Sequence, residues 1–158
     1  MSSRTYIAVV GAADATTEEL RLASEVGRLL AEAGAIMVCG GLGGVMDEAA
    51  RACTKAGGTS VGILPGDDRA SASSHLTVSI ATGLGEARNA IVVRTADAVI
   101  AVGGEYGTLS EIAFALKMGK PVIGLATWEL SREGLPDPLI RAEAPAEAVA
   151  RALALARR

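Results

Sequence analysis

The residues with the types and spacing to do chemistry are Gly103-Gly104-Glu105-Tyr106-Gly107-Thr108-Leu109-Ser110-Glu111. They follow an apolar run, Ala98–Val102, and precede an apolar-periodic one, Ile112–Leu116, an order that reads strand, glycine turn, helix. A helix N-terminus behind a glycine turn offers free backbone N–H groups and a positive dipole, so it binds anions, phosphate above all. Glu111 is expected in the first turn of that helix, with its carboxylate toward whatever the turn holds. A phosphate cradle beside an acid points to a phosphorylated small molecule as ligand or substrate. Thr108 and Glu111 also have the spacing of a capping box, worth about 1 kcal/mol without any ligand, so the cap role stands beside the acid role.

A second glycine turn, Gly40-Gly41-Leu42-Gly43-Gly44, follows the short apolar strand Ile36–Cys39 and leads into a helix over Val45–Ala56. Its glycines serve either ligand approach or a tight crossover. Gly11-Ala12-Ala13, after the strand Tyr6–Val10, is a third candidate wall. Arg88, on a helix expected over Glu86–Arg94, has the planar donor fork that clamps phosphate or ribose. Its alternative is a solvated helix arginine paired with Glu86, an arrangement worth little.

The remaining pattern supplies what positions these residues. Thr16 and Glu19 form a capping box ahead of the stripe Leu22, Val26, Leu29, Leu30 and Ala33. Ser60–Leu64, Leu76–Ile80 and Pro121–Leu125 read as further strands, Asp67–Ser74 as a polar loop, and Trp128–Ala144 as irregular. Pro145 opens a C-terminal helix with Val149, Ala152, Leu153 and Ala156 on one face. Short apolar strands alternating with helices predict a Rossmann-like, doubly wound α/β fold with a mainly parallel sheet and helices on both faces. Its ligand belongs at the carboxyl ends of the strands. One domain over residues 1–158 is expected, with roughly 70% of the unfolded surface buried on folding.

Composition narrows the function classes. Net charge is −3, and no Lys/Arg cluster occurs apart from Arg157-Arg158, which argues against nucleic acid as partner. No apolar run approaches the ~20 residues of a membrane span, and no signal pattern precedes Tyr6, so a cytoplasmic protein is expected. Cys39 and Cys53 read as packing residues, and His75 as a surface loop residue. With one His and two separated Cys, no metal-ligand spacing occurs. The only lysines, Lys55, Lys117 and Lys120, sit in no pattern for a pyridoxal Schiff base, so lysine decarboxylation is set aside.

Three segments together resemble the Lonely Guy-type family, Rossmann-like proteins once mislabelled as lysine decarboxylases. They are Gly40-Gly41-Leu42-Gly43-Gly44-Val45-Met46 with Gly57-Gly58 downstream; Glu86-Ala87-Arg88-Asn89; and Gly103 to Glu111. The resemblance implies a dimer that hydrolyses the N-glycosidic bond of nucleoside 5′-monophosphates, giving free base and ribose 5-phosphate without a required cofactor. Carried over position by position, it implies Arg88 and Glu111 as catalytic residues. Gly104, Gly107 and Thr108 match the family's phosphate turn, and with the residues around the turns the candidate ligand contacts are Gly40, Gly41, Gly43, Gly44, Met46, Arg88, Asn89, Gly103, Gly104, Glu105, Tyr106, Gly107 and Thr108. The chain departs from the family motif Pro-Gly-Gly-x-Gly-Thr-x-x-Glu at Gly103, which replaces proline, and at Glu105, which replaces glycine. Asn89 stands for a usual lysine, Asp47 for a usual glycine, and the first turn is one residue shorter. These departures point toward a branch that includes molybdenum-cofactor carrier proteins, so a carrier or nucleotide sensor is the alternative to the hydrolase.

Glu105 is the most consequential departure. A carboxylate 4 Å from a phosphate charge costs about 4 kcal/mol at an effective dielectric near 20. Glu105 therefore faces outward, or it meets a ribose hydroxyl or base. The helix after Gly107 is apolar nearly all round, through Leu109, Ile112, Ala113, Phe114, Ala115, Leu116 and Met118. Such a helix is expected to be buried on all sides, against the sheet and against a second copy of the chain, with the second helix sharing that dimer interface.

Overall fold

In a computed structural model, residues 3–156 are described; Met1, Ser2 and the Arg157-Arg158 pair lie outside them. The strands are β1 Tyr6–Gly11, β2 Ile36–Cys39, β3 Thr59–Leu64, β4 Val78–Ala81, β5 Ala98–Val102, β6 Val122–Leu125 and β7 Ile140–Arg141. The helices are α1 Thr17–Glu32, α2 Val45–Lys55, α3 Arg88–Thr95, α4 Tyr106–Lys117 and α5 Pro145–Ala156, with a 3-10 turn Gly85–Ala87 before α3. All strands pair in parallel, in the order β4-β3-β2-β1-β5-β6-β7. The expected mainly parallel sheet is thus parallel throughout.

β1 is buried on both faces, and its alternation divides the core. Ile7 and Val9 join α1, α2 and α5 on one side, while Ala8 and Val10 join α3 and α4 on the other. Chain order reverses between β1 and β5, because β2 to β4 lie to one side and β5 to β7 to the other. The loops after β1 and β5 diverge there and leave a crevice at the strand carboxyl ends.

Local chemistry fixes the helix starts. The Thr16–Glu19 capping box forms in both directions: Glu19 N–H donates to Thr16 Oγ1 at 3.1 Å, and Thr16 N–H to Glu19 Oε2 at 2.9 Å. The Thr108–Glu111 box does not form. Helix α4 begins at Tyr106 with Glu105 as its cap residue, so Glu111 falls in the second turn, buried. Gly107, expected to precede the helix, lies inside it, and so Thr108 is too far along to cap it.

Other boundaries shift modestly. β4 starts two residues later than its alternation suggests, and a short β7 emerges within the segment read as irregular. Helix α4 is not buried all round: Ile112 and Ala115 are buried, whereas Ala113 and Phe114 are exposed. Two helices cover the α3/α4 side of the sheet against three on the other, which leaves that outer face open to solvent.

Candidate functional site

A cavity of about 360 Å³ opens at the β1/β5 crevice. Its walls come from Gly11, Ala12 and Ala13 after β1, Leu42 and Met46 around the start of α2, and Pro65 after β3. Glu86, Arg88 and Asn89 line it from the α3 side, and Glu105, Gly107, Thr108 and Glu111 from the start of α4. The helices α2 and α4 both begin without a side-chain cap bond, which leaves first-turn N–H groups free of side-chain partners.

Arg88 is 8% exposed and points inward. Its Nη2 donates to the Gly40 carbonyl at 3.3 Å, and its Nη1 to Asn89 Oδ1. Nε is buried without a partner. The solvated arginine paired with Glu86 is therefore corrected: burial and the Gly40 contact hold Arg88 inside. Asn89 in turn donates through Nδ2 to Ser110 Oγ at 3.0 Å, which ties α3 to α4.

Glu111 is 7% exposed, and it makes no hydrogen bond among the described residues. Burial pushes its carboxyl up to about 8, partly offset by the Arg88 charge. Around neutral pH it is largely a neutral acid and can donate or accept. Cys39, at the end of β2, is fully buried and its thiol is pushed up to about 12, so it is inert. Cys53 is also buried and free, as its packing role requires.

The glycines divide into those that face the cavity and those that shape its walls. Gly107 has open space where a Cβ would stand, so a ligand can approach its backbone. Gly40 lies behind Arg88, and Gly41 and Gly44 adopt φ of +77° and +65°. A Cβ on Gly44 would strike the carbonyls of Ala12 and Ala13. Gly43 is exposed outside the cavity, and Gly104 packs on the Thr108 side chain.

Gly103 accounts for its own departure from the proline motif. It sits at φ +55°, its N–H donates to Leu125 O at 3.1 Å, and a Cβ would strike the Glu19 carboxylate. Proline can adopt neither that φ nor that bond. Tyr106 is 81% exposed beside the cavity and stacks on Trp128 at 5.9 Å between ring centroids. The Trp128 indole N–H donates to Glu105 O at 3.2 Å. Glu105 itself is exposed at the rim.

Two features escaped the sequence reading. Leu42 and Pro65, noted only as turn and strand stop, provide apolar walls that no spacing rule marks. His75 is partly buried, its Nδ1 3.0 Å from Asp47 Oδ1, an oxygen that also accepts from Ser73 Oγ. Asp47 is held below the usual carboxylate range; partial burial opposes this, and the bonds from Ser73 and His75 outweigh it. The polar loop is tied down over the first glycine turn, since Ser73 N–H also donates to Gly41 O at 2.9 Å. Among the described residues, no helix is long and apolar enough to cross a membrane, and no three His, Cys, Asp or Glu side chains group to hold a metal.

A parallel sheet with a cavity of mixed aliphatic and charged lining at its switch point defines a Rossmann-like protein. The chain belongs to the SLOG cluster4 family, which matches residues 4–150 and lies within the Lonely Guy-type superfamily. An uncharacterised protein of Archaeoglobus fulgidus is 47% identical over 119 residues, 75% of this chain and 78% of that protein. The molybdenum cofactor binding protein of the phototrophic bacterium Rippkaea orientalis superposes with a TM-score of 0.89 at 36% identity, covering 98% of this chain and 99% of the other. The molybdenum cofactor carrier protein of Chlamydomonas reinhardtii gives 0.86 at 34% identity over 99% and 100%.

Proposed function

We propose that this protein is a carrier for a phosphorylated pterin of the molybdenum-cofactor type, held in the β1/β5 cavity without turnover. The observation that carries the reading is Arg88: a buried guanidinium in the cavity wall, fixed by Gly40, keeps an Nε–H without a partner among the described residues, between two helix starts that lack a side-chain cap. A phosphate suits the free N–H groups at a helix start, where Gly107 leaves the backbone accessible. A flat ring suits the aliphatic walls of Ala12, Leu42, Met46 and Pro65. The likeness to two proteins named for molybdenum cofactor binding or carriage supports the same ligand class. The metal arrives as part of the cargo, bound within the ligand, and the chain's own residues hold the organic part.

Purification from cells that make the cofactor tests this reading. The expected result is a fluorescent oxidised pterin and molybdenum retained by the wild type and lost by Arg88→Ala. Wild-type protein free of both, after reloading has also been attempted, would overturn it.

A second reading, the nucleoside 5′-monophosphate hydrolase, draws on one observation. Glu111 is a neutral, buried acid in the same cavity as Arg88, as a glycosidic leaving group requires of its proton donor. Release of free base by the wild type and not by Glu111→Gln would establish it in place of the carrier. Either reading takes the protein as a homodimer through the open α3/α4 face, acting in the cytoplasm on a small molecule rather than a nucleic acid.

A further inference from the structure

Arg88 and Glu111 line one cavity; Arg88 Nε is buried without a partner, and Glu111, 7% exposed, makes no hydrogen bond among the described residues. They do not pair with each other among the described residues; Arg88 spends its other nitrogens on Asn89 and Gly40. Native proteins leave few buried polar groups unpaired, so the orphaned Arg88 Nε, with Glu111 in the same cavity wall, marks where a ligand completes the bonding. The chemistry of the two groups dictates what it presents. An arginine N–H only donates, and an ionised carboxylate only accepts, through two oxygens. The matching ligand edge carries an acceptor for Arg88 beside N–H donors for Glu111.

A phosphate offers acceptors alone, so it supplies no N–H for the carboxylate form of Glu111. It belongs instead at the helix starts, whose first-turn N–H groups have no side-chain cap. The aliphatic walls, Ala12, Leu42, Met46 and Pro65, suit a flat ring face rather than a sugar.

We propose that Arg88 and Glu111 together read the edge of a flat heterocycle on which a ring carbonyl lies beside ring and exocyclic N–H groups, the edge shared by guanine and pterins. This rests on the reading of the cavity as a site for a phosphorylated ligand, and it names the residues that select the ring. The ionisable groups around the cavity are Arg88 on α3, Glu86 on the 3-10 turn, and Glu105 and Glu111 at the start of α4, with buried Cys39 behind them at the end of β2. Glu111 is largely neutral when the cavity is empty at pH 7, and ligand N–H donors favour its charged form. Ring binding therefore releases a proton below about pH 8, whereas a ring that merely accepted from the neutral acid would release none.

The test is calorimetric titration of the full chain with GMP, IMP, AMP, 6-hydroxymethylpterin phosphate and its 2-deamino analogue, in two buffers of different ionisation enthalpy. The expected result is that GMP or the pterin phosphate binds at least tenfold tighter than the counterpart lacking the 2-amino group, with proton release at pH 7. In Glu111→Gln that ratio falls below threefold. Binding of the pterin with rejection of GMP assigns the pterin as the source of the edge; the reverse assigns guanine. Equal binding of GMP, IMP and AMP would overturn the ring-edge proposal while leaving the phosphorylated-ligand site standing. No binding of any probe would overturn both. Should Glu111→Gln fail to fold by circular dichroism, the wild-type ratios and proton release decide alone.

Discussion

Arg88 Nη2 and the Gly40 carbonyl meet at 3.3 Å at the back of the cavity, and a Cβ on Gly40 would come 2.9 Å from that same nitrogen. The glycine turn after β2 thus leaves room for the arginine and orients it. Gly40, expected as a ligand contact, stands behind Arg88 and is not part of the cavity wall.

Substituting Gly40→Ala is therefore expected to push the guanidinium out of place. Affinity for a phosphorylated ligand should fall about tenfold, equivalent to ~1.4 kcal/mol. Equilibrium titration beside Gly107→Ala provides the contrast, since position 107 has no protein atom in the way. Unchanged affinity in Gly40→Ala would separate the turn from the arginine.

Glu111 should make the empty protein less stable as pH rises. Its folded carboxyl titrates near 8 against an ordinary 4.5, because burial disfavours the charge. Below 4.5 both folded and unfolded chains are protonated and nothing is lost. Between 4.5 and 8 the unfolded chain ionises while the folded one resists, and each pH unit climbed costs the folded state about 1.4 kcal/mol. Glu111→Gln removes that penalty, so its Tm gain over wild type should be small at pH 5 and several degrees at pH 8. An equal gain at both values would show that Glu111 is not held neutral.

Glycine substitutions at the two ends of α2 separate geometry from mere flexibility. Gly44→Ala places a Cβ against the Ala12 and Ala13 carbonyls at φ +65°, and it is expected to cost about 3 kcal/mol or more in urea unfolding. Gly57 also has positive φ, +82°, but with nothing within 4 Å of its Cβ position. Gly57→Ala should cost only about 1 kcal/mol.

The fold was legible because each strand is a short apolar run closed by glycine or proline, and because Thr16 and Glu19 advertise their cap in the sequence. That Arg88, Asn89 and Glu111 would share one cavity was legible in their order relative to the glycine turns. Their state was not. Thr108-x-x-Glu111 has capping-box spacing, yet helix α4 starts at Tyr106, and burial of Glu111 depends on α3 packing beside it. Leu42, Pro65 and the Asp47–His75 contact depend on which loops the sheet order brings together, and no local pattern encodes that order.

The open face of α4 bears on assembly. Phe114 is 40% exposed and Tyr106 81%, on the side of the sheet covered by two helices. Sedimentation at micromolar concentration is expected to give a dimer, and Phe114→Glu a monomer. A wild-type monomer would remove the proposed interface.

Native mass spectrometry of the protein incubated with one equivalent of molybdenum cofactor tests the central claim most directly. The account predicts one intact cofactor mass added per chain, unchanged over hours, and lost in Arg88→Ala. No added mass on the wild type, or a bound mass that shrinks to a cleaved product, would contradict a carrier that holds its ligand without turnover.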